Sequence, residues 1–188
     1  AIVAYVAAFM VVGKLIWRSP HAISDEVLIL RALGSCAFVL LHVILCIGPL
    51  ARLDQRWMVV LYNRRHLGVM TFLVALVHGA LSIGYYHGFS DLTPFMSLLT
   101  SSSNVLSLRS FPFEWLGLAG LAVLFLMAAT SHDFWLRNMG AVSWKRLHMV
   151  VYVAYAALVA HVALGALQSG RGWWLATALG SGVLIVSV

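Results

Sequence analysis

Apolar residues in this chain fall in blocks of about 20, the length an α-helix needs to cross roughly 30 Å of hydrocarbon at 1.5 Å per residue. Six blocks stand out, over residues 1–17, 28–50, 67–86, 113–131, 144–167 and 173–188. Backbone N–H and C=O groups in lipid must be satisfied within their own segment, which leaves helices as the economical solution for blocks of this length. The expectation is an all-α integral membrane protein, a six-helix bundle in one domain over residues 1–188. Composition agrees: with 62% hydrophobic and 10% charged residues, a soluble globule of this size would lack polar surface to stay dispersed. The sequence starts without Met and stops inside an apolar run, so it reads as part of a longer chain. Lys14 and Arg18 follow the first apolar run rather than precede it, so that block reads as a span and not a signal peptide.

Charge is informative here through its distribution. The formal +6 would suggest nucleic acid in a soluble protein, but these charges sit in the connections between apolar blocks, so no nucleic-acid partner is expected. If the blocks alternate in direction, Arg52, Arg56, Arg64, Arg65, Arg137, Lys145 and Arg146 share one side. Lys14, Arg18, Arg31, Arg109 and Arg171 share the other, diluted by four of the six acidic residues. The positive-inside rule then puts the 52–65 and 132–146 connections, and with them both chain ends, in the cytoplasm. A bacterial inner membrane is the expected location.

The connections have their own marks. Gly48-Pro49 predicts the end of the second helix, followed by a short basic loop from 51 to 65. The stretch from 88 to 112 is longer, Ser-rich and bounded by prolines, with an apolar patch at Phe95, Met96, Leu98 and Leu99; such a loop caps a site, meets a partner or rests on the membrane surface. The seven tryptophans all fall near block ends, where indole prefers the headgroup zone. Small residues four apart, Ala75/Gly79 and Ala80/Gly84, allow close helix approach. Cys36 and Cys46 lie about 15 Å apart along one helix, too far for a disulfide, and read as packing residues.

Chemistry concentrates in the histidines. A strongly polar side chain at membrane depth costs several kcal/mol unless paired or bound, so each is a candidate functional residue. His42 lies in the second block, His66 opens the third with His78 in its middle, and His148 opens the fifth with His161 deeper. The spacings are close to equal, 12 and 13 residues, or rises of about 18 and 20 Å. The third and fifth helices are expected to run the same way, so His66 and His148 share one depth while His78 and His161 share another. Facing imidazoles in a bundle core supply both axial bonds of a haem iron. The expectation is haem b between the third and fifth helices, two haems by this count, with one as the alternative. His66 and His78 are rotated by about 120° about their helix, and His42 is the alternative fourth ligand or a hydrogen-bonding partner of a propionate. Each histidine could instead serve as an interhelical hydrogen-bonding residue. Arg64, Arg65 and Arg146 are candidate propionate partners, and Arg109 a candidate on the opposite face; as topology determinants they need no such role. Zinc or copper would need three or four converging donors, and no Cys or carboxylate lies at those depths. Motifs for hydrolysis or nucleotide chemistry are absent from the sequence.

Three segments carry a resemblance: Pro49-Leu50-Ala51-Arg52; Arg64-Arg65-x-Leu67-Gly68 followed by His78; and Trp144-Lys145-Arg146-Leu147-His148-xxx-Tyr152 followed by His161. In these the chain resembles the ferric-reductase-like transmembrane domain family, most closely its haem-binding membrane subunits of the methionine sulfoxide reductase type, more distantly the membrane domains of NADPH oxidases and metalloreductases. The resemblance implies six helices, b-type haem held by the third and fifth, and electrons passed from a cytoplasmic-side, flavin or quinol donor to a partner redox protein or additional subunit. His66 is not expected in the sulfoxide reductase type, whereas two histidines on each of two helices resemble the NADPH oxidase pattern. The function expected is therefore an electron-transfer subunit rather than a self-contained enzyme. The alternative is a membrane anchor of a larger redox or photosynthetic assembly without net transmembrane transfer.

Overall fold

The structure is a computed structural model that describes residues 1–16, 23–100 and 111–168. The expected sixth span, together with Trp17, Arg18, His21, Arg109, Arg171, Trp173 and Trp174, lies outside the described residues.

The described residues form helices and turns. In chain order they are α1 (Ile2–Ile16), α2 (Asp25–Leu53), a 3-10 turn (Gln55–Trp57), α3 (Met58–Tyr62) and α4 (Arg64–His87), then α5 (Pro94–Thr100), α6 (Phe113–Ala129), α7 (Asp133–Met139), α8 (Ala141–His148) and α9 (Val151–Gln168). Three helical stretches are long and apolar enough to cross a membrane: α2, α4 and the continuous run of α8 and α9. α6 makes a fourth if it is counted with α7, which bends away from it by 84°, and α1 is a shorter apolar helix. The all-α membrane class holds, and the described residues account for three to four of the six expected spans.

Local chemistry sets the ends of these helices. The Ser24 hydroxyl accepts the Val27 N–H at 3.4 Å, and Asp25 and Glu26 sit against the positive end of the α2 dipole, with Arg52 in its last turn. The expectation that α2 stops at Gly48-Pro49 is corrected by the structure: the helix continues through Pro49 to Leu53. Proline removes one N–H and crowds the carbonyl four residues earlier, but bonding resumes beyond it, with the Asp54 N–H donating to the Leu50 carbonyl at 2.9 Å. The 51–65 segment is consequently no simple loop, being the end of α2, the 3-10 turn and α3. Gly140, at φ 75°, turns the chain from α7 into α8, a backbone conformation that glycine adopts without steric cost.

Successive spans pack antiparallel. Leu30 near the start of α2 meets His78 late in α4, while Gly48 near the end of α2 approaches Arg64 at the start of α4. Gly79 and Phe72 of α4 pack on Leu121 and Phe125 of α6 in the same sense, and Phe113 at the start of α6 meets His161 and Gly165 late in α9. α4 and α9 therefore run parallel, as the expected pairing of their histidines requires. The core is thin: Leu41 and Leu45 of α2, Leu124 of α6 and Val151 and Tyr155 of α9 form the main buried cluster. Large apolar side chains such as Val39, Leu76, Phe125 and Val153 point outward, a distribution that suits lipid as the surrounding solvent. Hydroxyls in these helices return to the backbone one turn back, Thr71 to the Leu67 carbonyl and Thr130 to the Leu126 carbonyl, so neither group is left unsatisfied.

Candidate functional site

Two histidines sit in matching surroundings toward the end of the bundle where α2 and α6 begin. His78, on α4, has its Nδ1 2.9 Å from the Leu30 carbonyl of α2. His161, on α9, has its Nδ1 2.8 Å from the Phe113 carbonyl of α6. A carbonyl oxygen can only accept, so in each ring Nδ1 carries the hydrogen; in the neutral ring Nε2 then carries the lone pair, the form in which imidazole ligates a metal. No hydrogen bond is made by either Nε2 among the described residues.

A glycine lies one turn beyond each accepting carbonyl. A Cβ on Gly34 would stand 3.0–3.3 Å from the His78 ring atoms, and one on Gly117 would stand 2.8–3.3 Å from those of His161. Each glycine precedes its histidine by 44 residues, and each accepting residue precedes it by 48. The pairs α2/α4 and α6/α9 thus build the same local arrangement twice. Sequence reasoning missed this. The signal was a Leu-Gly pair, Leu33-Gly34 and Leu116-Gly117, at one fixed distance before each deep histidine.

The opposite level is less uniform. His148 directs Nδ1 to the Trp144 carbonyl at 3.1 Å, and its buried Nε2 makes no hydrogen bond among the described residues. The Trp144 ring stacks on it, centroids 3.8 Å apart and planes 25° from parallel. Trp144 is itself fixed by its Nε1 donating to the Thr130 carbonyl at 2.9 Å, with Arg65 5.0 Å over its ring. Arg65 also pairs with Asp133, which holds that exposed carboxyl below the usual carboxylate range, first through the hydrogen bond and then through the positive charge. His66 is exposed and lines a cleft of about 370 Å³ with Arg65, Val69, Ala128, Ser131 and His132. The end of α6 lies at this level, Ala128 lining the cleft beside His66 while Trp144 of α8 holds the His148 ring.

His42 differs in kind. Its Nδ1 is 2.8 Å from the Phe38 carbonyl and its Nε2 3.0 Å from the Tyr155 hydroxyl, so both ring nitrogens are engaged. His132 caps α7, its Nδ1 accepting the Phe134 N–H at 3.1 Å, the tautomer opposite to that of the deep pair. His87 is buried against Ser97 of α5, Nδ1 to Oγ 3.0 Å. Of the candidate arginines, Arg65 is engaged as described, Arg64 lies beside Gly48 and Arg146 is exposed on α8. Among the described residues, no group of three or more His, Cys, Asp or Glu side chains converges on a point.

Fold and site together define a helical membrane protein in which His78 and His161 are each held at Nδ1 by a carbonyl of a neighbouring helix. Residues 32–159 match the family described as ferric reductase like transmembrane component, and the chain belongs to that family. The match runs from within α2 to the middle of α9 and ends just before His161. Among curated proteins, the chain is 30% identical over 132 residues to the protein-methionine-sulfoxide reductase heme-binding subunit of Ralstonia nicotianae, covering 70% of this chain and 55% of the relative. It is 31% identical over 133 residues to the subunit of the same name from Caulobacter vibrioides, covering 71% and 58%, and 26% identical over 177 residues to that of Herminiimonas arsenicoxydans, covering 91% and 70%. The chain therefore spans little more than half the length of the first two of these relatives. No solved structure matches.

Proposed function

We propose that the chain is a b-type cytochrome subunit of a bacterial inner membrane, in which His78 and His161 are the axial ligands of one haem and His148 with His66 those of a second. The observation that carries this reading is the state of the deep pair: two rings on parallel helices, each with its proton tied to a backbone carbonyl and its Nε2 free. Donation of Nδ1–H to a carbonyl fixes ring orientation and raises the basicity of Nε2, which is what an iron ligand needs. Haem, when bound, supplies one-electron iron chemistry. The relatives named as heme-binding subunits support haem as the group these residues fit.

The residues themselves do the positioning. Leu30 and Phe113 hold the deep rings through their carbonyls, and Trp144 holds the His148 ring by stacking. His42 is bonded at both nitrogens and serves the bundle as an interhelical link to Tyr155, so His66, which lines the cleft and makes no side-chain hydrogen bond among the described residues, is the better fourth ligand. Arg64 and Arg146 are available to carboxylate groups at this level, whereas Arg65 is shared with Asp133. Haem held by these residues would supply electron transfer, and the donor is a quinol or a flavin on the side of the 51–65 and 132–146 connections, which we assign to the cytoplasm with both chain ends. The acceptor is a redox partner protein or further subunit, as the relatives' name, a subunit of a reductase, supports.

Haem per chain in the purified protein tests this, with His78→Ala and His161→Ala each expected to remove one haem and its reducible b-type absorption. A wild-type protein without such bands would refute the reading and leave a membrane anchor in its place.

A further inference from the structure

We propose that Gly34 and Gly117 are paired positioning residues that set the orientation of the His78 and His161 rings and thereby the potential of the iron they ligate. The inference rests on the reading of His78 and His161 as an axial pair, and concerns what fixes them.

Three observations converge. Each ring is gripped on its Nδ1 edge by a carbonyl, of Leu30 or Phe113, four residues before a glycine on the same helix. Each glycine lies so close to the ring that an added methyl would meet Cε1 and Nδ1 at 3.0 and 3.2 Å for Gly34, and at 2.8 Å for both atoms at Gly117. The contacts under 3.0 Å at Gly117 require something to move, those of 3.0–3.3 Å at Gly34 require the neighbour to give by a few tenths of an ångström, and the atoms in the way belong to an imidazole held by its hydrogen bond. The arrangement also occurs twice with the same spacing in different helix pairs, so each copy corroborates the other. Other glycines differ: Gly68 and Gly84 face open space, and Gly120, one turn from Gly117 on the same α6–α9 interface, would press on Leu158 instead.

The consequence is specific. A methyl at position 34 or 117 pushes the ring off its carbonyl, so Nδ1–H is no longer held by that acceptor and Nε2 becomes less basic. A less basic ligand stabilises the ferric state less, so the midpoint potential rises. The low-spin ferric EPR spectrum changes too, because it reports the orientation of the axial imidazole planes.

The test uses purified full-length protein in detergent, comparing wild type with Gly34→Ala, Gly117→Ala, Gly120→Ala and Gly84→Ala by redox titration, EPR and haem per chain. Expected is a positive potential shift and altered EPR signal in the first two, confined to one and the same haem, with Gly84→Ala matching wild type in both and Gly120→Ala, which displaces Leu158 and not the ring, shifting less than Gly117→Ala. Unchanged potentials and spectra in Gly34→Ala and Gly117→Ala with haem retained overturn the proposal, as does a shift in Gly120→Ala equal to that in Gly117→Ala. If Gly117→Ala does not accumulate as folded protein, Gly34→Ala decides by the same readouts: a shifted potential and EPR signal support the proposal, and neither shift with haem retained overturns it. The two readings fail separately: a haem-free wild type refutes the proposed function, whereas a haem-loaded wild type with unshifted Gly34→Ala and Gly117→Ala overturns this inference alone.

Discussion

Tyr155→Phe isolates one atom in the middle of the bundle. The Tyr155 hydroxyl donates to His42 Nε2 at 3.0 Å, and the two rings meet edge to face with centroids 5.2 Å apart. Phenylalanine keeps the ring, its packing on the Leu41, Leu45 and Leu124 cluster and the edge contact, and removes only the donor. An interhelical hydrogen bond inside a membrane protein is worth about 0.6 kcal/mol on average and about 1.7 at most, while a polar group left unsatisfied costs about 1–3 kcal/mol. His42 is only partly buried, so the lower part of these ranges applies, about 1 kcal/mol. Tyr155→Ala also opens a cavity and belongs with aromatic truncations that cost about 3–5 kcal/mol. Equilibrium unfolding in mixed micelles, following helical circular dichroism, should therefore place Tyr155→Phe close to wild type and Tyr155→Ala well below it. Haem per chain should not change in Tyr155→Phe, because the bond it breaks joins two helices and holds no ligand. A loss above about 2 kcal/mol, or a missing haem in Tyr155→Phe, would refute the reasoning and move His42 into the ligand set.

Further expectations concern the other level of the bundle. His66→Ala should lower haem per chain while His42→Ala leaves it intact, measured by pyridine haemochrome; the reverse pattern assigns the fourth ligand to His42. Trp144→Leu removes the His148 stack, the Thr130 link and the platform for Arg65, and is expected to destabilise by about 1–3 kcal/mol and broaden the spectrum of the His148 haem, with Trp144→Phe intermediate. The Asp133 carboxyl has a lowered pKa, so the contribution of its ion pair with Arg65 is fully present above the ordinary Asp value of about 3.9 and is lost as pH falls through the lowered value. An acid titration of unfolding should show this component in wild type and not in Asp133→Asn, whose stability at neutral pH should be slightly reduced. Pro49→Ala restores an N–H for the Leu45 carbonyl within a continuous helix, so the variant should unfold at or above the wild-type temperature.

The sequence by itself determined the solvent and the element type. Blocks of about 20 apolar residues admit only one economical way of satisfying the backbone in lipid, so α2, α4, α6 and the α8–α9 run could be placed to within a few residues. Nearly equal histidine spacing, 12 and 13 residues on two blocks of like direction, also led to the expectation of His78 and His161 at a common depth, because rise per residue is fixed in a helix. The end of α2 was misplaced, since Pro49 stops a helix in water more surely than in a packed bundle where bonding resumes beyond it. Only the tertiary structure decided what each histidine is bonded to. His42, His78 and His161 are alike as letters in apolar helices, yet one is bonded at both nitrogens and two are held at Nδ1 with Nε2 free. That difference depends on which carbonyl, hydroxyl or glycine of a neighbouring helix comes opposite the ring. The contact is made between residues 48 or 113 positions apart, where helical periodicity carries no information.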